Sequence, residues 1–361
     1  MNCKKTLLTV FFLVFFINLS AQQKQNLKKY YKNVFVAEKL LLDKNFSKAA
    51  KHYQIAFENK DFAFESDLIN ALYCEIQSGL PNKTNTLQYT EQLKRFGISM
   101  EVNYKKLPNY TSILFYISGI NLSYDTVIKK EIEFLRKRDE KYRHNYNPND
   151  LQQVLNVRES DSLNIIDFKK LMQKISVFDE KIVRFGDYDI FFNHWSQSFP
   201  DEYDKIISKM LEAVYSGTLD ARHYVKAFDV KQVRKDFKGI FTEYGTNFFY
   251  VLCNSDINSQ PQGNNMYAFS PYNNKNKEHK KWLKQTDKKR KKIFLDKTIN
   301  SSINSFKLCT FKFSNRLLST PYTPSLASVP KFIIEKEFCK IYSENPSVIY
   351  IFPENNDINC K

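Results

Sequence analysis

Asp139 stands where an apolar side chain belongs. Tyr124, Ile128, Ile132, Leu135 and Tyr142 recur at spacings of three and four, the signature of one helix face, and Asp139 falls on that face. A carboxylate there is costly unless paired, and Arg143 lies four residues on, within reach on the same side of the helix. Such a pair either braces a helix end or forms an oriented charge pair in a cleft, ready to hold or polarise a ligand. His194 is the second candidate. It shares a helix face with Asp187, Ile190 and Phe191, a setting that suits a satisfied core histidine, while imidazole is also the natural proton carrier near neutral pH. Third come Asp220-Ala221-Arg222-His223, with Asp220 placed to cap a helix, and the turn Tyr244-Gly245-Thr246-Asn247, which presents a phenol, a hydroxyl and an amide.

Other chemistries lack their residues. The five histidines show neither His-x-x-x-His nor His-Glu-x-x-His, and the six cysteines include no Cys-x-x-Cys pair, so no metal is expected. No Gly-x-Ser-x-Gly, P-loop or dinucleotide fingerprint occurs, which argues against the common nucleotide folds and against serine hydrolases of that type; no cofactor is expected. Widely spaced cysteines leave at most one bridge in the tail, Cys309 with Cys339 or Cys360.

The elements that must position these residues read as helices. Gly is scarce at 8 residues and Pro at 11, which favours long helices over turn-rich sheet. In residues 26–100, Ala37, Leu40, Ala49, Tyr53 and Ala56 sit where two antiparallel helices would meet across a turn at Lys44-Asn45-Phe46. This pattern resembles the tetratricopeptide repeat, whose period of about 34 residues carries Ala37 onto Ala71 in a further helix, Asp67–Ile76. Lys83–Phe96 is helical in pattern but lacks the small residues. One good unit and one poor one fall short of the three a free-standing array needs, so this front should pack on the rest of the chain.

Residues 120–250 form a central helical domain. Beyond the Asp139 helix, Ile165, Phe168, Leu171, Met172 and Ile175 line a second helix. Tyr203, Ile206, Ile207, Met210, Leu211 and Val214 line a third that stops at Ser216-Gly217. A short helix near Asp187–Ser196 carries His194, and the polar stretch His144–Asp161 reads as a loop. Residues 256–361 are read as a small basic α+β region: a loop to Asn276, a helix over Lys277–Lys297, then strands at Phe306–Phe313, Lys331–Tyr342 and Ser347–Phe352. The fold class expected is thus mainly α, with a basic α+β tail.

In order along the chain, Asp139-x-x-Tyr142-Arg143, Asp161-x-x-Asn164, Gly186, His194, Gly217 and Tyr244-Gly245-Thr246 resemble a family of uncharacterised, often exported bacterial proteins. Their pattern is D-x-x-Y/F-R, a D-x-x-N helix start, a Gly before a helix bearing Q-H, and Y-G-T-Q. The chain departs from it at Asn193 and Asn247, both Gln in the pattern, and the likeness spans about 110 residues. No reaction comes with the family. The resemblance implies that Asp139, Arg143, His194, Tyr244 and Thr246 share one small polar ligand site.

The two ends add a destination and a charge. Residues 1–21 follow the order of a secretory signal, with two lysines in Met1–Lys5, an apolar Leu7–Ile17 and a small residue, Ala21, before Gln22; no later run approaches a membrane span, so export to the periplasm or beyond is expected. The formal charge of +16 is concentrated at the other end, where Pro271–Lys361 holds 18 Lys and Arg against 8 Asp and Glu. Lys288, Lys289, Arg290, Lys291 and Lys292 are either a solvated helix face or an anion-binding patch for lipid headgroups or an anionic surface polymer; export argues against nucleic acid. Three functions stay open. The first is a binding or scaffold protein of the envelope, partnered by another envelope protein. The second is an envelope hydrolase using His194 with Asp139 and Arg143, and the third an adhesin acting through the basic tail.

Overall fold

The computed structural model describes residues 2–79, 81–98, 126–144, 146–174, 178–235, 242–245, 250–253, 266–269, 276–301 and 326–328, and over these the chain is mainly helical. Among the described residues no helix is long and apolar enough to cross a membrane. Tyr124, Ile175, Thr246, Cys309, Cys339, Cys360 and the three strands expected in the tail lie outside them.

Four helices make the front: α1 (Asn2–Leu42), α2 (Phe46–Phe57), α3 (Glu65–Gln77) and α4 (Lys83–Arg95). Lys44 takes a positive φ of 57° at the α1–α2 turn, and the Asn82 side chain caps α4 by accepting from the amides of Thr84 and Asn85 at 2.9 and 3.1 Å. Ala37, Ala49, Ala56 and Ala71 are fully buried, as is Tyr53. Their small methyl side chains are what let the helix backbones close on one another.

The centre holds α5 (Thr126–Arg143), α6 (Leu151–Lys174), a 3₁₀ turn (Phe185–Asp187), α7 (Ile190–Ser198), α8 (Pro200–Tyr215) and α9 (Ala221–Lys235). Trp195 of α7 is buried in an aromatic stack, 4.9 Å from Phe191 and 5.1 Å from Phe168 between ring centres. Burying such a ring contributes roughly 2–3 kcal/mol before any packing is counted. One expectation is corrected here: most of the polar stretch His144–Asp161 is helix, since α6 begins at Leu151. Asp150 starts it by accepting from the amides of Gln152 and Gln153 at 2.9 and 3.1 Å. The face that α6 turns to α5 is polar, so apolar periodicity could not reveal it. Ser160 donates to the Arg138 carbonyl at 3.1 Å, and Asn164 to that of Leu135 at 3.2 Å.

A buried charge cluster fastens front to centre. Arg222, at the start of α9, sends Nη1 to Glu38 of α1 (2.9 Å), Nη2 to Asp67 of α3 (2.6 Å) and Nε to Asp220 (2.8 Å). Tyr30 donates to Asp67 at 2.7 Å and Tyr31 to Asp220 at 3.2 Å. Asp220 also accepts from the Arg222 amide at 2.9 Å, which is the helix cap read from the sequence.

Farther along the chain, α10 (Lys277–Lys292) is capped by Asn276 and lies against the 242–245 turn, with Trp282 Nε1 donating to the Thr242 carbonyl at 3.0 Å. After it Phe294 stacks on Tyr31 of α1, ring centres 6.1 Å apart. Three short strands, β1 (Tyr250–Cys253), β2 (Met266–Phe269) and β3 (Leu326–Ser328), order as β2-β1-β3, antiparallel on one side and parallel on the other.

Candidate functional site

α5, α6 and α7 bring four polar side chains together. Asp139 falls on the buried stripe Ile128–Ile132–Leu135 of α5, as its spacing demands, and is itself buried. Arg143, one turn on, donates from Nε to Asp139 Oδ1 at 3.0 Å and from Nη2 to Asp161 of α6 at 2.5 Å. His194 reaches in from α7, with its Nδ1 3.1 Å from Asp139 Oδ1. The two carboxylates are tuned apart. Burial works against the Asp139 anion, but hydrogen bonds from His194 and Arg143 outweigh it and hold the carboxyl below its usual value. At Asp161 burial wins over the Arg143 bond and the carboxyl is pushed up. Burial also opposes the Arg143 charge, yet its two aspartates overcome that and raise it.

Part of the cluster is unfinished. Among the described residues, Asp139 Oδ2 is buried with no hydrogen-bond partner, and so are Trp195 Nε1 and Ser196 Oγ, next along α7 from His194. His194 and Arg143 keep 19% and 26% of their side-chain surface, so the group opens on one side. Asp139, Asp161 and His194 offer ligand atoms within 4.8 Å of one another, close enough to consider a metal ion. The Arg143 guanidinium already bonds both carboxylates, so a metal ion there would have to displace it.

No protein-family model, curated protein or solved structure matches this chain. The site must therefore be read from its own atoms.

The structure gathers Asp139, Arg143 and His194, adds Asp161, and places Tyr244 elsewhere. Asp161 entered the sequence reading only through the D-x-x-N motif. Tyr244 is a buried post. Its hydroxyl meets that of Tyr224 at 3.3 Å, its ring packs on Phe228 at 5.2 Å, its amide donates to Asp229 and its carbonyl accepts from Arg290. None of these partners belongs to the Asp139 group. His223 stacks on Phe185 at 4.1 Å and is likewise packing.

The turn after Tyr244 is tight. Gly245 has φ +65°, and a Cβ there would come within 2.6 Å of the buried Thr298 methyl. A left-handed alanine costs roughly 1–2 kcal/mol and overpacking roughly 1–3 kcal/mol. Gly245→Ala is therefore expected to lower stability by about 2 kcal/mol or more, read as a fall in the urea midpoint; an unchanged midpoint would show that the turn adapts.

The basic run is not one surface. Lys288, Lys291 and Lys292 are exposed, Lys289 pairs with Glu243 at 3.0 Å, and Arg290 is buried. Arg290 donates to the carbonyls of Asp296 (2.7 Å) and Tyr244 (2.8 Å). Its role is to close the turn after α10, so the expected five-residue anion patch lacks its central member.

Proposed function

We propose that the chain is an exported binding protein whose Asp139–Arg143–Asp161–His194 cluster holds a small polar ligand. One observation carries this reading: the buried Oδ2 of Asp139, an ionised acceptor without a donor among the described residues, beside an exposed edge. Leaving such an acceptor unmade costs on the order of 1–3 kcal/mol, a cost that a ligand N–H or O–H would offset. The resemblance to the exported bacterial family supports the same place, because its D-x-x-Y-R, D-x-x-N and His positions are the ones that meet. For export, the sequence order of residues 1–21 is the support. The tetratricopeptide-like reading of the front rests on its buried alanines, and such a front would face another envelope protein.

The test is a thermal-shift panel of sugars, amino acids and phosphate esters on the wild type, His194→Gln and Asp139→Asn. At least one class should raise the wild-type Tm by several degrees and leave both variants unmoved, as expected for ligand at about 100 times Kd. A panel that moves nothing, or moves all three proteins alike, removes the proposal.

A hydrolase is the second reading, favoured by the Asp139 Oδ1–His194 Nδ1 contact. A carboxylate on Nδ1 fixes the ring and leaves Nε2 to take a proton. On this reading, turnover of aryl esters or aryl phosphates drops about 100-fold in His194→Ala.

A further inference from the structure

We propose that the groove between α1 and the segment after α10 binds an anionic amphiphile, an aliphatic chain bearing a phosphate or carboxylate head. The site is distinct from the Asp139 cluster. It is a cavity of about 910 Å³, within the range of roughly 300–1,000 Å³ typical of small-molecule sites. Its charge is one-sided. Lys28, Lys32 and Lys39 stand along one face of α1 and Lys291 faces them from the end of α10, against only Asp43 and Asp296. None of the four lysines forms an ion pair among the described residues. Like charges one turn apart on a helix repel, so Lys28 and Lys32 are held together without compensation, an arrangement that an incoming anion would relieve.

Between the lysines the lining is apolar, with Phe35 and Val36 on α1 and Phe294 opposite. Phe294 is held at φ +69°, a region that bulky residues rarely occupy. Its ring is fixed there by the stack on Tyr31 and an edge contact with Tyr215 at 6.4 Å. Backbone strain of this kind persists where the surroundings impose it, and it concentrates at ligand sites. A bare anion would gain nothing from this floor, and a neutral lipid nothing from the lysines. The combination selects a molecule with both parts. The expected anion partner of the basic region thus moves from the 288–292 run as a whole to a groove that takes only Lys291 from it.

Isothermal titration of the full chain tests this, with dodecyl phosphate, dodecanoate, dodecyl maltoside and inorganic phosphate below their micelle-forming concentrations. One or both anionic amphiphiles should bind at least ten-fold more tightly than the maltoside and inorganic phosphate, and their ranking identifies the head. Lys32→Glu with Lys39→Glu, or Lys32→Ser with Lys39→Ser should the first lower Tm, is expected to weaken that binding ten-fold or more. Val36→Trp, which fills the floor, should do the same, whereas Lys288→Glu with Lys292→Glu should leave binding within two-fold. Equal affinity for the neutral glycoside, loss of binding in the 288/292 variant, unchanged binding in the 32/39 variants, or no binding at all overturns the proposal.

Discussion

Arg222→Ala is expected to cost about 3–5 kcal/mol, the range for breaking a buried ion pair from one side, out of a total stability of about 5–15 kcal/mol. The reason lies in what the substitution leaves behind. Three carboxylates, Glu38, Asp67 and Asp220, converge on one guanidinium from α1, α3 and the start of α9, and all are buried. Without Arg222 they lose their shared cation and keep hydrogen bonds such as those from Tyr30 to Asp67 and from Tyr31 and the residue-222 amide to Asp220. Arg222→Lys should rescue little. The three bonds leave from Nε, Nη1 and Nη2 of one planar fork, a geometry that a single ammonium on a flexible stem cannot reproduce. Adding Glu38→Gln and Asp67→Asn to Arg222→Met should recover part of the loss, since removing all partners is cheaper than orphaning some. Urea denaturation decides this. A loss below about 1 kcal/mol for Arg222→Ala would mean that the buried cluster contributes little to holding front and centre together.

How much of this was legible beforehand depended on what each helix buries. The α5 stripe announced itself, and Asp139 with it, because apolar residues at spacings of three and four expose the one carboxylate that breaks them. The alanines of α1, α2 and α3 were equally plain, since small residues at a helix contact leave a pattern of size. The start of α6 was not, for up to Asn164 its buried face is Val157 with Ser160, Asp161 and Asn164, a mostly polar set indistinguishable from a loop until Arg138, Arg143 and Leu135 are seen opposite. Arg290 was misleading for a related reason. Five cationic residues in a row suggest one solvated face, but helical residues turn about 100° apart, so a run of five points every way and one member met the core. Arg222 lies 155 positions from Asp67 and 184 from Glu38. No periodicity carries a pairing of that length, and the sequence showed only its local fragment, Asp220 as a cap.

One guanidinium cannot neutralise three anions, and the surplus proton predicts how stability varies with pH. Burial, ahead of the opposing pull of Arg222, raises the Glu38 carboxyl from its usual value to about 8. The folded state therefore holds a proton on Glu38 that the unfolded chain releases near pH 4.5. A group raised in this direction lends stability that is whole below its unfolded pKa and is lost as pH climbs through the folded one. The window is thus pH 4.5 to 8, and the shift corresponds to on the order of 3–5 kcal/mol across it. Asp67 and Glu180, also raised by burial, add to the same slope. Lys60, lowered to about 8 by burial, acts in the next window, regaining stability as pH rises from 8 toward its unfolded value. His223, lowered to about 3 by burial, opposes this slope up to its unfolded value near pH 6.5. Wild-type stability should accordingly fall from about pH 6.5 to pH 8. Glu38→Gln keeps the shape and a hydrogen-bonding carbonyl for Arg222 Nη1 but has no proton to lose, so its curve should be flatter by the Glu38 share. The decisive quantity is the difference between the two urea-denaturation series from pH 5 to 8, in which every other titrating group cancels unless it couples to Glu38. Parallel curves would mean that Glu38 is ionised in the folded protein, and that Arg222 balances its three carboxylates with help from elsewhere in the cluster.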